Sequence, residues 1–315
     1  MSRQRRKTFR AIEVGDGSDG RWAAHARTLW QSMEGLLTAE GRTPEGSDRV
    51  RALFRAHMPE LVPVLDRLAG QLDRPEGEAL LTHAALRPFS PACTQIGENG
   101  TLLRNYDFPP DQCEGTIVSS CFLRPVIGMQ DVLWGLLDGM NDAGLAISLT
   151  FGGRSVYGHG FAILIVVRYL LEVCDTVDEA VGRLRSLPVA VPQNVTLVDP
   201  AKAVTVYVGP DMSATAAPDA CAANHQHLPV TDEQERATRT QERLRSIRAA
   251  GADVAAMLKP PLYRPFDEQE SGTLYTARYR PAEGRVTYYW PGESWHQSFG
   301  DFTPGCRTVT LGRAG

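Results

Sequence analysis

The chain has 315 residues, enough to bury a substantial core in one large domain or two small ones. Hydrophobic residues are 43% and charged residues 22%, an ordinary globular composition, and a net charge of −4 argues against nucleic acid or an anionic membrane surface as partner. Six cysteines without a CxxC pair, and no apolar run behind the basic start "MSRQRRK", point to reduced thiols in the cytoplasm and against a secretory signal or structural zinc; neither a metal nor another cofactor is expected.

In chain order, "TFRAIEV" (residues 8–14) reads as a strand, and residues 20–87 read as helices. "GRWAAHARTLWQSMEGLL" places Trp22, Ala23, Ala26, Leu29, Trp30 and Met33 at helical spacing. "SDRVRALFRAHM" opens with a Ser-Asp cap signal, and "PEGEALLTHAAL" starts with Pro and acids, as a helix N-terminus should. At "RPFSPACTQI" the texture changes, because prolines flank Ser90 and predict an extended link. Strands follow: "CTQI", "TLLRNYDF", "GTIVSSCFLR", "DVLWGLL" and "GLAISLTF", divided by turns such as "GENG" and "GMNDAG".

"FAILIVVRYLLEVC" (161–174) is the most apolar stretch; it is too short for a bilayer, carries an arginine, and reads as a buried helix. A second helix, 176–187, stops at Pro188. Strands "NVTLVD" and "AVTVYVG" come next, then a strand through "ACAANHQH", one charged helix over about 231–249 and a short one near 252–258. The end reads as a hairpin turning at "PAEG" and a last strand, "CRTVTLG". This order predicts two packed sheets with helices outside. GxGxxG after a strand, GxxxxGK[ST], HExxH and GxSxG are absent, which removes the commonest nucleotide, zincin and serine-hydrolase readings.

One stretch carries chemistry. In "PACTQIGENGTLLRNYDF", Cys93 opens a strand directly after the proline-rich link, and Arg104 and Asp107 return across one hairpin turn. A cation beside a thiol raises its thiolate fraction, and a carboxylate can orient the proton of an amine or thiol. On spacing alone, a surface Arg/Asp pair beside a buried packing thiol is the commoner explanation of the pattern.

These residues resemble the start of the choloylglycine hydrolase and penicillin acyltransferase superfamily, whose pattern is a cysteine opening a hairpin and Arg-Asn-x-Asp on its return, here Cys93, Arg104, Asn105 and Asp107. Three further blocks resemble it in family order: "GMNDAGLAISLTF" with Asn141, Gly144, Leu145 and Ala146; "CAANHQ" with Asn224; and the helix start "ERATRTQERL" with Arg239. The resemblance implies a four-layer αββα N-terminal-nucleophile hydrolase sandwich. It is similar to the self-processing branch, so residues 1–92 would be a helical pro-segment and 93–315 the catalytic region, with cleavage between Ala92 and Cys93.

The freed α-amine, with a reference pKa of roughly 7.7–8.0, would be the general base. By the same resemblance Asp107 would hold that amine, Arg104 and Arg239 would steady Asp107 and the thiol, and Asn224 would donate to the oxyanion. The substrate would be a small N-acyl compound, cut at its carbon–nitrogen amide bond and passed to water or to another amine. Two positions depart from the family: Thr150 stands where a further oxyanion Asn is common, and Ala92 where the self-cleaving acyltransferase has Gly.

The loop "GGRSVYGHG", bearing Arg154, Tyr157 and His159, reads as a plain connection or as a pocket wall. His225 and His227 share a strand face but lack a third ligand nearby. An unprocessed thiol enzyme, or an inactive relative binding a small ligand in the same pocket, shares these residues; oligomeric state is not legible from the sequence.

Overall fold

Buried residues run nearly unbroken along many of the strands, as they must in sheets covered on both faces. A computed structural model describes residues 5–88, 92–227, 229–266 and 271–312; the first four residues of the basic start and the centre of the proline-rich link around Ser90 lie outside them.

The strands are β1 (Arg5–Gly15), β2 (Ala92–Glu98), β3 (Thr101–Phe108), β4 (Thr116–Cys121), β5 (Pro125–Asp131), β6 (Gly135–Asn141), β7 (Ala146–Phe151), β8 (Gln193–Val198), β9 (Ala203–Gly209), β10 (Met212–Ala216), β11 (Cys221–Ala222), β12 (Gly272–Arg280), β13 (Arg285–Trp290), β14 (Glu293–Ser298) and β15 (Gly305–Leu311). The helices are α1 (Arg21–Met33), α2 (Pro44–His57), α3 (Val62–Leu72), α4 (Gly77–Leu81), α5 (Ile163–Val173), α6 (Val177–Leu184), α7 (Asp232–Thr238), α8 (Thr240–Ala250) and α9 (Val254–Met257).

One sheet has nine strands in the order β10-β9-β8-β7-β6-β5-β4-β1-β15, and the other has six in the order β11-β2-β3-β12-β13-β14. They face each other: the Gln95 side chain on β2 donates to Asn194 O (3.1 Å) and Thr196 Oγ1 (2.8 Å) on β8. Helix α5 packs on β6 and β7, and α8 and α9 cover β2, β3 and β11 from the other side, which completes four αββα layers. Helix α5 is apolar almost all round because it is buried on every side: the large sheet covers it, and the Tyr169 hydroxyl donates at 2.9 Å to Glu60 in the region that precedes Cys93. Its one buried cation, Arg168, donates through Nε to Trp134 O (2.8 Å) and through Nη1 to Ser120 Oγ (2.8 Å) and Glu172 (3.2 Å).

Three expected elements differ. "DVLWGLL" is not one strand: Val132 and Leu133 take positive φ (52° and 72°) and turn the chain from β5 into β6. The strand through "ACAANHQH" pairs only at Cys221 and Ala222. The charged helix breaks into α7 and α8 at Arg239, whose φ of 50° is left-handed.

The region before Cys93 is helical as expected, but β1 is more than an appendage. It lies between β4, parallel, and β15, antiparallel, with Arg5 opposite Leu311 and Ala11 opposite Ile117. Phe9 reaches across to the rings of Tyr275 (6.2 Å) and Trp290 (5.0 Å) in the other sheet. Among the described residues no helix is long and apolar enough to cross a membrane.

Candidate active site

Strand β2 begins at Ala92, so Cys93 is its second residue and sits opposite Tyr106 on β3, while Ala92 sits opposite Asp107. The strand's two-residue alternation sends Cys93, Gln95 and Gly97 toward the large sheet. Gly97 is required there, because a Cβ would stand 2.6 Å from Val198 Cγ2 and 3.0 Å from Ala203 Cβ.

The hairpin brings Arg104 onto the thiol. Its Nη2 donates to Cys93 Sγ at 3.0 Å, and its Nη1 donates to Leu137 O (2.7 Å) and Asp138 Oδ2 (2.9 Å) on β6. The guanidinium lies over the rings of Tyr106 (5.0 Å) and Tyr275 (5.8 Å). Cys93, Arg104 and Asp138 are all fully buried. Burial pushes the Cys93 thiol up to about 11; Arg104 pulls it down, and Asp107 pushes it further up. Burial pulls Arg104 down, but Tyr275, Cys93 and Asp138 hold it above its ordinary value.

Asp107 projects to the opposite face of the hairpin. Thr273 on β12 donates to its Oδ1 at 2.7 Å, and Arg243 Nη1 stands 3.6 Å from Oδ2. That Oδ2 accepts no hydrogen bond among the described residues. Burial raises the Asp107 carboxyl above its ordinary value, opposed by Arg264, Arg243 and Thr273.

Asn224 follows the short β11 and is fixed through its backbone, whose N–H donates to Thr240 Oγ1 at 2.7 Å. Its Oδ1 accepts from the backbone N–H of Cys93 (3.1 Å) and from Arg243 Nη2, and its Nδ2 donates to Phe151 O at 3.3 Å. Cys93, Arg104, Asp107 and Asn224 therefore meet at one end of the sandwich, on both sides of β2.

Arg239 does not join them. The helix break turns it outward, its side chain 54% exposed and paired with Glu242. The arginine that arrives is Arg243, one turn later on the buried face of α8, donating to Cys93 O (2.7 Å) and Thr94 Oγ1 (2.8 Å) as well as Asn224. Burial lowers it to about 10, while Asp107 raises it. The signal was present in the sequence: Thr240, Arg243, Leu244 and Ile247 form one helical stripe, with the cation inside it.

Thr150 is no oxyanion donor either. Its hydroxyl donates to Ala223 O (2.8 Å) and accepts from Asn194 Nδ2 (2.9 Å), so it braces the backbone before Asn224. Arg154 is turned away, held by Asp211 and by Gln226 Oε1 (2.9 Å). Tyr157 and His159 line a cavity of about 410 Å³ against Val50, Leu53 and Leu86 of the segment preceding Cys93, away from the thiol. His225 bonds Thr240 through Nδ1 at 2.8 Å, and no cluster of metal-binding side chains exists among the described residues.

A second cavity, of about 400 Å³, lies at the Cys93 end of the hairpin. Phe108, the residue after Asp107, forms one wall with Leu29, Met33, Leu36, Cys113 and Val132, and the polar part of the lining is Lys7, Ser32, Asp111, Gln112, Glu114 and Asp131.

The family described as acyl-coenzyme A:6-aminopenicillanic acid acyl-transferase matches residues 95–295 of the chain. No curated protein matches it. Among solved structures, a mutant of the conjugated bile acid hydrolase of Clostridium perfringens is 12% identical, with a TM-score of 0.42 over 69% of this chain and 96% of its own. Penicillin V acylase from Agrobacterium tumefaciens is 15% identical, with a TM-score of 0.42 over 69% and 90%. The Caenorhabditis elegans ortholog of N-acylethanolamine-hydrolyzing acid amidase is 14% identical, with a TM-score of 0.44 over 65% and 98%.

Proposed function

The chain belongs to the acyl-coenzyme A:6-aminopenicillanic acid acyl-transferase family, and from that premise we propose that it is a self-processed cysteine amidohydrolase or acyltransferase with Cys93 as its N-terminal nucleophile. The observation that carries the reading is the junction at Cys93. Its Sγ accepts from Arg104 at 3.0 Å while its backbone N–H is held by Asn224 at 3.1 Å.

In the maturation step, Sγ attacks the carbonyl carbon of Ala92. The peptide nitrogen leaves with a proton as the α-amine of Cys93, and a thioester forms. Water then adds hydroxyl to the acyl carbon and returns a proton to sulfur. The new ammonium would face Asp107, whose Oδ2 is an unspent acceptor. In its neutral form the amine takes the thiol proton, which matters because burial alone keeps this thiol protonated at neutral pH.

The thiolate attacks the amide carbonyl of a small N-acyl compound, with Asn224 Nδ2 as oxyanion donor; the carbon–nitrogen bond then breaks, and the amine leaves with the proton that the Cys93 ammonium returns. Arg243 fixes Asn224 Oδ1 and so orients Nδ2. The apolar-walled cavity beside Phe108 would hold the acyl group. The acyl-enzyme is released to water or to a second amine.

Intact mass under denaturing conditions, beside a Cys93→Ala variant, tests this. The expected result is two wild-type chains, one ending at Ala92 and one starting at Cys93, and a variant that stays whole. A wild type that remains a single chain of about 34.5 kDa removes the α-amine base and leaves an unprocessed thiol enzyme or an inactive ligand-binding relative.

A further inference from the structure

Arg104 has a partner that this chemistry leaves unused. Asp138 stands on β6 in the opposite sheet, fully buried, and its Oδ2 accepts from both Arg104 Nη1 (2.9 Å) and the Tyr275 hydroxyl (2.5 Å). Its Oδ1 accepts from the Tyr279 hydroxyl, which in turn bonds the Tyr288 hydroxyl at 2.9 Å. Tyr275 and Tyr279 lie four residues apart on β12 and so share its inward face. Three strands of one sheet and one of the other thus converge on a single carboxylate.

We propose that Asp138 is a positioning residue of the thiol site: clamped by Tyr275 and Tyr279, it fixes the Arg104 guanidinium and balances its charge. Cys93 Sγ then receives a directed hydrogen bond rather than the field of an uncompensated cation. The inference deepens the reading of Cys93 as nucleophile and rests on it for its catalytic meaning. Its geometry already exists in the uncut chain.

The argument is one of charge in a dry interior. A buried guanidinium must find a counter-charge, and removing one member of a buried pair leaves the other to recruit what is near. With Asp138 neutral, the nearest group able to become an anion against Arg104 Nη2 is Cys93 itself. The thiol would ionise too readily, and a thiolate of lowered basicity is a weaker nucleophile. The other groups facing Cys93 are Tyr106 and Asp107 from β3 and Arg243 from α8; those facing Asp138 are Arg104, Tyr275, Tyr279 and Tyr288. None of the tyrosines is an anion near neutral pH, since burial raises them all well above their ordinary value.

The test is the pH midpoint of Cys93 alkylation by iodoacetamide, read by peptide mass, in wild type, Asp138→Asn and Tyr279→Phe. Intact mass reports cleavage in each, and thermal melting reports folding. Asp138→Asn is expected to lower the midpoint by at least half a pH unit and to slow cleavage at least tenfold. Tyr279→Phe keeps the carboxylate and removes one donor. By weakening Asp138 as an anion it is expected to move the midpoint the same way by less, and it serves as the readout should Asp138→Asn melt below the assay temperature.

Midpoints equal to wild type in a folded variant overturn the positioning role while leaving cleavage, and so the nucleophile reading, intact. If wild type is never cut, the nucleophile reading falls, and the midpoint shift in the uncut chain still decides whether Asp138 governs the Arg104–thiol contact.

Discussion

Four side chains predicted to act together, Cys93, Arg104, Asp107 and Asn224, meet around one strand, and the fifth, Arg239, gives way to Arg243. The two arginines make a clean contrast. Arg239→Ala removes an exposed pair with Glu242, an interaction worth at most about 1 kcal/mol, and should leave cleavage within twofold of wild type. Arg243→Ala removes the donor to Cys93 O, Thr94 and Asn224 together and strands Asp107, so cleavage should fall at least a hundredfold. The time course of the two fragments on a denaturing gel reads both.

Residue types and their spacing made the hairpin legible, because Arg104 and Asp107 depend on Cys93 only through strand register. Arg239 was misplaced because one left-handed residue rotates everything after it about the helix axis, and no propensity marks an arginine for that conformation. Asp138 was not singled out at all. A lone acid in "GLLDGMN" shows nothing of its partners Arg104 and Tyr275, which lie 34 and 137 residues away in sequence.

At the scale of elements, strand periodicity carried most of the large sheet, and short or interrupted elements escaped. β5 and β14 lack strong alternation, β11 is only two residues long, and the turn at Val132–Leu133 hides inside an apolar run that looks like continuous strand. That turn is held by one adjacent and one more distant side chain: Asp131 accepts from Val132 N–H at 3.0 Å, and Glu114 accepts from Leu133 N–H at 3.2 Å. The approach of the two sheets depends on Gly97 in the same way. Gly97→Val should cost about 1–3 kcal/mol by overpacking against Val198 and Ala203. A lowered melting temperature with Cys93 alkylation still possible below it is the expected outcome, and an unchanged melting temperature would show that the sheets can part at that point.

At the scale of the molecule, the region preceding Cys93 is built into the sandwich. Phe9, Ala11 and Val14 of β1 are buried, and α1 walls the cavity beside Phe108. After the cut, the two pieces should elute together from a sizing column under native conditions and separate only in denaturant. Fragments that part without denaturant would show that β1 is dispensable to the folded state. The expectation that this region is helical rested on apolar spacing and helix-start residues; that its strand lies inside the nine-stranded sheet, between β4 and the edge strand β15, depends on pairings far apart in sequence, which local pattern does not reveal.

The position of β1 also sets a clock. Leu311, the ladder partner of its Arg5, is synthesised 306 residues later (311 − 5). At roughly 5–20 residues per second, that partner follows after a quarter of a minute to a minute. Until then the edge of β1 away from β4 has no strand to pair with, and a break before Cys93 would free an unfinished N-terminal piece from a sheet not yet able to hold it. On the reading that the chain cuts itself before Cys93, this strand order would hold scission back until β15 has joined β1.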